Sequence, residues 1–531
     1  MKSAQKNAGK ELYRQLRDLS CTQLWEQEVA RFDRAAPQER IERVGVIRAV
    51  GVVFAESGTP QQREIVKTWL RELLHDPSEK IRRYAIAALP KIGAGIVEEA
   101  ELLSLLRTTG FDREKKFLGQ ALEKIGGKAT LEHLGPDSAG SQIEQKLRAS
   151  LAHYENPSEI RMDRPLSDFA GLKIQLRGRR GLEEIVRTEV EESVRNTRSF
   201  RIADVWDGLV TIIPLAPFTL GDLYKFRCFG TVGFDVGGTA NFDQLASLIV
   251  SPLSRRILET FTNGSLRYRL DFPARGHQRG AVKALANRVY TLCPSVLNSA
   301  QNAPWTISIN SRGKEYSVEL SPRHSVDPRF YYRQQDVPAA SHPPLAACMA
   351  RLAGRMNDEV VWDPFCGSGL ELIERALLGG VKRLYGTDRS EEAISIAERN
   401  FAGADLASVA AKFVCCDFRD FAKIEKLEAA SVTLVISNPP MGKRVHIPNL
   451  RGLMDDFFTA AAAVLRPGGR LVFANPLRMD SPQRSLKLQS RRVIDFGGFD
   501  CRLELYTKMA QVSPHGATRA TSKQAAISSK F

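Results

Sequence analysis

Hydrophobic positions along the chain follow two periods. Between residues about 40 and 134 they recur every three or four positions, as at Ile81, Tyr84, Ala85, Ala88, Leu89 and Ile92, the spacing of one helix face. PQQREIVKTWLRELLHD and PSEKIRRYAIAALPKIG each open on a proline, which suits a first helical turn. From 166 to about 335 strand and helix patterns mix. LKIQLRG (172–178) predicts a strand, GLEEIVRTEVEESV (181–194) a helix and LVTIIPL (209–215) a β-branched strand. SLRYRLDFPARGHQRGAVKALANRVYTLC (265–293) predicts a strand, a basic loop and a helix, and WTISINS with KEYSVELS a hairpin around Arg312–Gly313. From about 336 to 509 strands and helices alternate regularly, which implies a mainly parallel sheet. EVVWDPF, KRLYGTD, KFVCCDF, VTLVISNPP and GRLVFANP are its strands in order, and VIDFGGF with RLELYTKM completes it as a hairpin. LELIERALLGG, SEEAISIAERNFAG and LMDDFFTAAAAVLRPGG are the intervening helices.

The division that follows is a helical region (1–134, its first 35 residues an irregular or helical leader), a linker with one short helix (135–165), an α+β module (166–335), an α/β domain (336–509) and a disordered polar tail (510–531). A length of 531 residues agrees, being too great for one ordinary core. A hydrophobic content of 43% and a charged content of 26% are those of a globular protein. Lys and Arg number 76 against 61 Asp and Glu, a net charge of +15 that suits a polyanionic partner such as nucleic acid. A merely basic protein is the plainer alternative.

None of the eight cysteines forms a CxxC pair, and Cys415 and Cys416 are adjacent, poor geometry for two ligands of one zinc. They read as reduced thiols, with no metal site expected. No apolar run has the length of a membrane span, and MKSAQKNAGKELYRQL has no secretory core, so a cytoplasmic location is expected.

Candidate chemistry lies at the strand ends, where a doubly wound sheet holds its ligand. The turn DPFCGSG contains Asp363, Phe365, Cys366, Gly367, Ser368 and Gly369, and its glycines permit close backbone approach. Asp388 ends the next strand, where a carboxylate can accept from ribose hydroxyls or cap the following helix with Ser390. Asp417, after the third strand, can accept from an adenine amino group or face solvent. After the fourth come Asn438, Pro439, Pro440 and Met441. Two prolines make a stiff corner without backbone donors. That corner offers two fixed acceptors, the Asn438 side-chain oxygen and the Pro439 carbonyl.

These motifs resemble the class I methyltransferases that use S-adenosylmethionine and methylate exocyclic amines. DPFCGSGLELIERALL and SNPPMGKRV resemble more narrowly the RNA guanine-N2 methyltransferases with an N-terminal THUMP module, which act on 23S rRNA or tRNA. GLKIQLRGRRGLEEIVRTEVEE resembles their ferredoxin-like entry, RYRLDFPARGHQRGAVKALANRV the THUMP core and HPPLAACMARLAG the approach to the cofactor. The likeness covers about 166 to 509 and implies a Rossmann-like catalytic domain without a metal. It implies that the Asp363–Gly369 turn, Asp388 and Asp417 hold the cofactor, and that the Asn438–Met441 corner holds the target amine. Met441 stands where the family has Tyr, Phe or Leu, and Leu370 where it commonly has Thr. Outside the likeness, AALPKIG (87–93) is echoed by QALEKIG (120–126), and the paired helices resemble HEAT-type repeats, a surface for a protein partner. Arg177, Arg179, Arg180, Arg275, His277, Arg279, Lys283, Lys443 and Arg444 are the expected RNA contacts. Two other readings stay open: an adenine-N6 or DNA amino-methyltransferase of the same class, and an RNA-binding scaffold without turnover, which Met441 and Leu370 would favour.

Overall fold

The computed structural model describes residues 13–133, 148, 156–273, 278–299, 303–313, 315–324, 326–338, 340–442 and 447–510. The expected tail, most of the expected linker and the first part of the leader lie outside them. The chain forms two compact units, Met1–Arg161 with Val236–Arg323, and Met162–Asp235 with His324–Phe531. The segment 166–335 is thus divided between two units rather than forming one block. A strand-and-helix pattern looks the same whether the chain runs on or makes an excursion and returns.

The first unit has helical residues at 13–17 and again at Cys21–Arg34, six of the latter (Leu24–Val29) in a π-helix. Five longer helices follow: α1 (Gly45–Ser57), α2 (Pro60–Glu72), α3 (Glu79–Ile92), α4 (Ile96–Thr108) and α5 (Asp112–Ile125). Pro60 is the first residue of α2, and Thr59 and Gln62 close a capping box around it. Pro77 does not start α3 in the same way, because Ser78 takes the position before Glu79. The two echoed segments end α3 and α5, which pack together, and both bury their alanine–leucine pairs, Ala88–Leu89 and Ala121–Leu122. Gly51 lets α1 approach α3 closely: a Cβ there would lie 2.8 Å from Ala88 Cβ and 3.2 Å from Ala88 Cα.

The second unit begins with β1 (Lys173–Arg177), α6 (Glu183–Val194), β2 (Phe200–Trp206), β3 (Leu209–Pro214) and β4 (Thr231–Thr239), the division between units falling inside β4. β1 pairs antiparallel with β3 and β4, and β2 with β3. Back in the first unit come β5 (Leu266–Asp271), α7 (Arg279–Leu292), β6 (Val296–Asn298), β7 (Trp305–Arg312) and β8 (Glu315–Pro322). β7 and β8 form the expected hairpin, with Arg312 opposite Glu315.

The rest of the second unit contains α8 (Pro343–Ala353), β9 (Glu359–Asp363), α9 (Leu370–Leu377), β10 (Val381–Asp388), α10 (Glu391–Ala402), β11 (Ala410–Cys415), β12 (Val432–Ser437), α11 (Leu450–Val464), β13 (Leu465–Asn475), β14 (Leu486–Asp495) and β15 (Asp500–Lys508). The seven strands lie in the order β11-β10-β9-β12-β13-β15-β14, the first five parallel and the last two added as an antiparallel hairpin. Every residue of β12 is buried, as expected of a central strand covered on both faces. RPGG does not end α11, as the pattern suggested. The helix stops at Val464, and Leu465 already pairs with Val432 through a register shift that accommodates Pro467 and Gly468 (φ +78°). No helix among the described residues is long and apolar enough to cross a membrane.

Candidate active site

Strand order reverses between β9 and β12, which opens a crevice beyond their carboxyl ends. Trp362 pairs with Val435, so Asp363 and the Asn438 corner emerge side by side. Ser437 Oγ donates to Asp363 Oδ1 at 2.5 Å, joining the glycine turn to the corner. Phe365 N–H donates to the same oxygen at 3.0 Å. Asp363 Oδ2 is buried with no partner among the described residues. Burial and the nearby Glu371 push the Asp363 carboxyl well above the usual range.

Gly367 (φ +49°) and Gly369 (φ +82°) carry the turn through left-handed backbone. A Cβ at Gly369 would lie 3.3 Å from Ala397 Cβ of α10. Gly367 N–H donates to Asp388 Oδ2 at 3.1 Å, while Asp388 Oδ1 accepts from Ser390 N–H, so Asp388 braces both the turn and the start of α10. Each oxygen keeps a lone-pair direction for a further donor. Cys366 is buried and its N–H donates to the Thr387 carbonyl. Phe365 packs on Phe418 and Phe457, with ring centroids 4.9 and 5.8 Å away. Ser368 Oγ donates to Asp336, and its carbonyl accepts from Asn400 Nδ2 at 3.0 Å. Asp417 caps the short turn that follows it and pairs with Arg419.

At the corner, Pro439 is buried, and Asn438, Pro440 and Met441 are half-buried. Asn438 Nδ2 donates to Ser341 Oγ at 2.7 Å, and Ser341 Oγ donates to Glu371 Oε1. Asn438 Oδ1 is buried and meets no partner among the described residues. Glu371 stands in the first turn of α9, and burial raises its pKa. One turn on, Glu374 accepts from Arg227 Nε and Nη2 at 2.8 and 2.7 Å and from the Tyr332 hydroxyl at 2.5 Å. No group of three or more His, Cys, Asp or Glu suited to a metal occurs among the described residues.

The basic candidates described in the second unit bind partners other than the corner. Arg179 donates to the Asp495 carbonyl, with its guanidinium over the Phe496 ring, and Arg180 pairs with Asp500. Arg177 donates to Gln175. Arg279 and Lys283 lie exposed on α7 of the first unit. Arg275, His277, Lys443 and Arg444 lie outside the described residues.

Residues 331–501 match a family model described as UPF0020, RMKL-like, methyltransferase domain. This segment is a methyltransferase domain. The tRNA (guanine(10)-N2)-dimethyltransferase of Methanothermobacter thermautotrophicus is 28% identical over 186 residues, 33% of this chain and 52% of that relative. That of Methanocaldococcus jannaschii is 29% identical over 179 residues, 32% of this chain and 46% of the relative. The chain thus spans about half the length of these curated relatives. The crystal structure of TrmN from Thermus thermophilus superposes with a TM-score of 0.52 at 19% identity, over 64% of this chain and 100% of that one, which shows a shared fold.

Within the methyltransferase domain and the segments packed on it, the sequence did not single out Ser341, Glu371, Asn400 or Arg227. HPPL, just after Ser341, was the nearest signal. Asn400 sits in the middle of a helical pattern, yet its side chain binds Gln334 N–H, Gln335 N–H, the Gln335 carbonyl and the Ser368 carbonyl.

Proposed function

We propose that this protein transfers a methyl group to the exocyclic N2 amine of a guanine in tRNA or rRNA, with S-adenosylmethionine as donor. One observation carries the reading: Asn438 Oδ1 is a buried acceptor with no partner among the described residues, beside the glycine turn of a methyltransferase domain. An aromatic amine is a poor nucleophile because its lone pair is delocalised into the ring. Asn438 Oδ1 and the Pro439 carbonyl would accept its two N–H groups and keep the lone pair on nitrogen. The double proline fixes both acceptors in advance. The names of the archaeal relatives support guanine N2 and tRNA.

The residues present fit the donor. The Asp363 oxygen with no described partner suits a cationic ammonium, Gly367 and Gly369 add no side chain of their own to the turn, and Asp388 retains acceptor capacity for hydroxyls. Asp417 would take an adenine amino group. When bound, S-adenosylmethionine supplies the electrophilic methyl carbon. A target base must reach the corner unstacked. Residues 166–335 are the proposed THUMP-like and ferredoxin-like RNA-binding part, and the helical region a HEAT-like surface for a protein partner, supported by the echo at the ends of α3 and α5.

The test is mass spectrometry of tRNA and rRNA from a deletion strain, together with transfer by purified protein. The expected result is loss of one N2-methylguanine in vivo. Asn438→Ala should abolish transfer in vitro and leave calorimetric binding of S-adenosylmethionine nearly unchanged. Methylation of adenine N6 or of DNA would replace this reading with the alternative. Absence of cofactor binding by the wild-type protein would leave only a scaffold.

A further inference from the structure

We infer that Ser341 and Glu371 are positioning residues that set which end of the Asn438 amide faces the target amine. The inference deepens the amine-methylation reading and rests on it for its catalytic consequence. A primary amide has an acceptor end and a donor end of nearly the same shape, and only one can serve an incoming N–H. The double proline fixes the backbone at the corner but leaves the terminal rotation of the Asn438 side chain open.

A hydroxyl has one proton and two lone pairs. Ser341 Oγ gives its proton to Glu371 Oε1. With that one proton committed to Glu371, the serine oxygen can only accept towards Asn438. The amide nitrogen is therefore the end that fits against it, as the 2.7 Å contact shows. Oδ1 is turned the other way and meets no donor among the described residues. The reversed amide would set Oδ1 against a serine lone pair and aim a second donor at a substrate that already brings donors. Ser341 is 8% exposed and Glu371 3%, so water is poorly placed to replace either partner. Glu371 stands in the first turn of α9, where unsatisfied backbone N–H groups favour a carboxylate.

Both residues act through Asn438. Ser341→Ala should leave the affinity for S-adenosylmethionine and the KM for RNA nearly unchanged and lower kcat about 10- to 100-fold, the range found when the hydrogen bond behind a metal ligand is lost. Ser341→Thr keeps the hydroxyl and should restore most of that loss. A second readout needs no substrate. In full-length protein labelled with ¹⁵N-asparagine, the Asn438 side-chain amide is identified by its disappearance in Asn438→Ala. One of its protons should be shifted downfield and exchange slowly, and Ser341→Ala should abolish both features. The inference is overturned by Asn438 protons indifferent to Ser341→Ala, by unchanged kcat, by a threonine no better than alanine, or by cofactor affinity falling in step with kcat. If wild-type protein methylates no guanine, the functional reading above fails, and the amide protons still decide the orientation.

Discussion

At the residue scale the site is built from polar atoms that the fold leaves half-used. Asp363 binds Ser437 and Phe365 with one oxygen and nothing described with the other, in a fully buried position. Burial and Glu371 hold its carboxyl above the ordinary range, where an unperturbed Asp titrates at about 3.9. A cation placed at Oδ2 favours the ionised form, so binding should pull the carboxyl back down. The sign follows: affinity for S-adenosylmethionine is full above the raised pKa and weakens as pH falls through it, well before an ordinary aspartate would protonate. Calorimetry across pH checks this, and Asp363→Asn should flatten the dependence. Asp363, Asp388 and Asn438 were legible in the sequence because each ends an apolar strand pattern, Asp363 and Asn438 directly before a proline. Ser341 was not: it lies 97 residues from Asn438, and its hydroxyl acquires meaning only from what it touches.

At the element scale, periodicity predicted the strands that carry the site, because a run such as VTLVIS has no stable place except between covered faces. It misjudged the end of α11, where a Pro-Gly-Gly signal marks a bulge inside β13 rather than a helix stop. It did not show why Gly51 sits in mid-helix. Alanine there would gain about 1 kcal/mol of helix propensity. Its Cβ would also meet Ala88 Cβ at 2.8 Å and backbone at 3.2 Å, and overpacking of this kind costs about 1–3 kcal/mol. The backbone atom cannot turn aside, so the clash wins. Gly51→Ala should lower stability by about 1 kcal/mol, seen as an earlier denaturant midpoint at constant slope.

For the molecule as a whole, segments distant in sequence meet through buried charge. Arg227 grips Glu374, whose side chain is 1% exposed, and Arg351 reaches Glu189, also 1% exposed. Removing Arg227 leaves a carboxylate uncompensated, a change that costs about 3–5 kcal/mol in buried sites. Arg227→Ala should therefore destabilise the second unit by roughly 3 kcal/mol, since the Arg227 side chain is itself 22% exposed. Thermal unfolding of the full chain measures it, and a loss under 1 kcal/mol would show the pair to be dispensable. No local pattern announced these pairs, because charged residues on a helix or in a loop usually face solvent. Their separation also has a consequence for synthesis. The partners of Arg227 and Glu189 lie 147 and 162 residues downstream. At 5–20 residues per second the ribosome needs roughly seven to thirty seconds to deliver them. Throughout that interval the nascent chain holds out charges and apolar strands made for a neighbour not yet translated. A stalled ribosome in this stretch would leave a product more prone to aggregate than one stalled before Met162 or after Lys508.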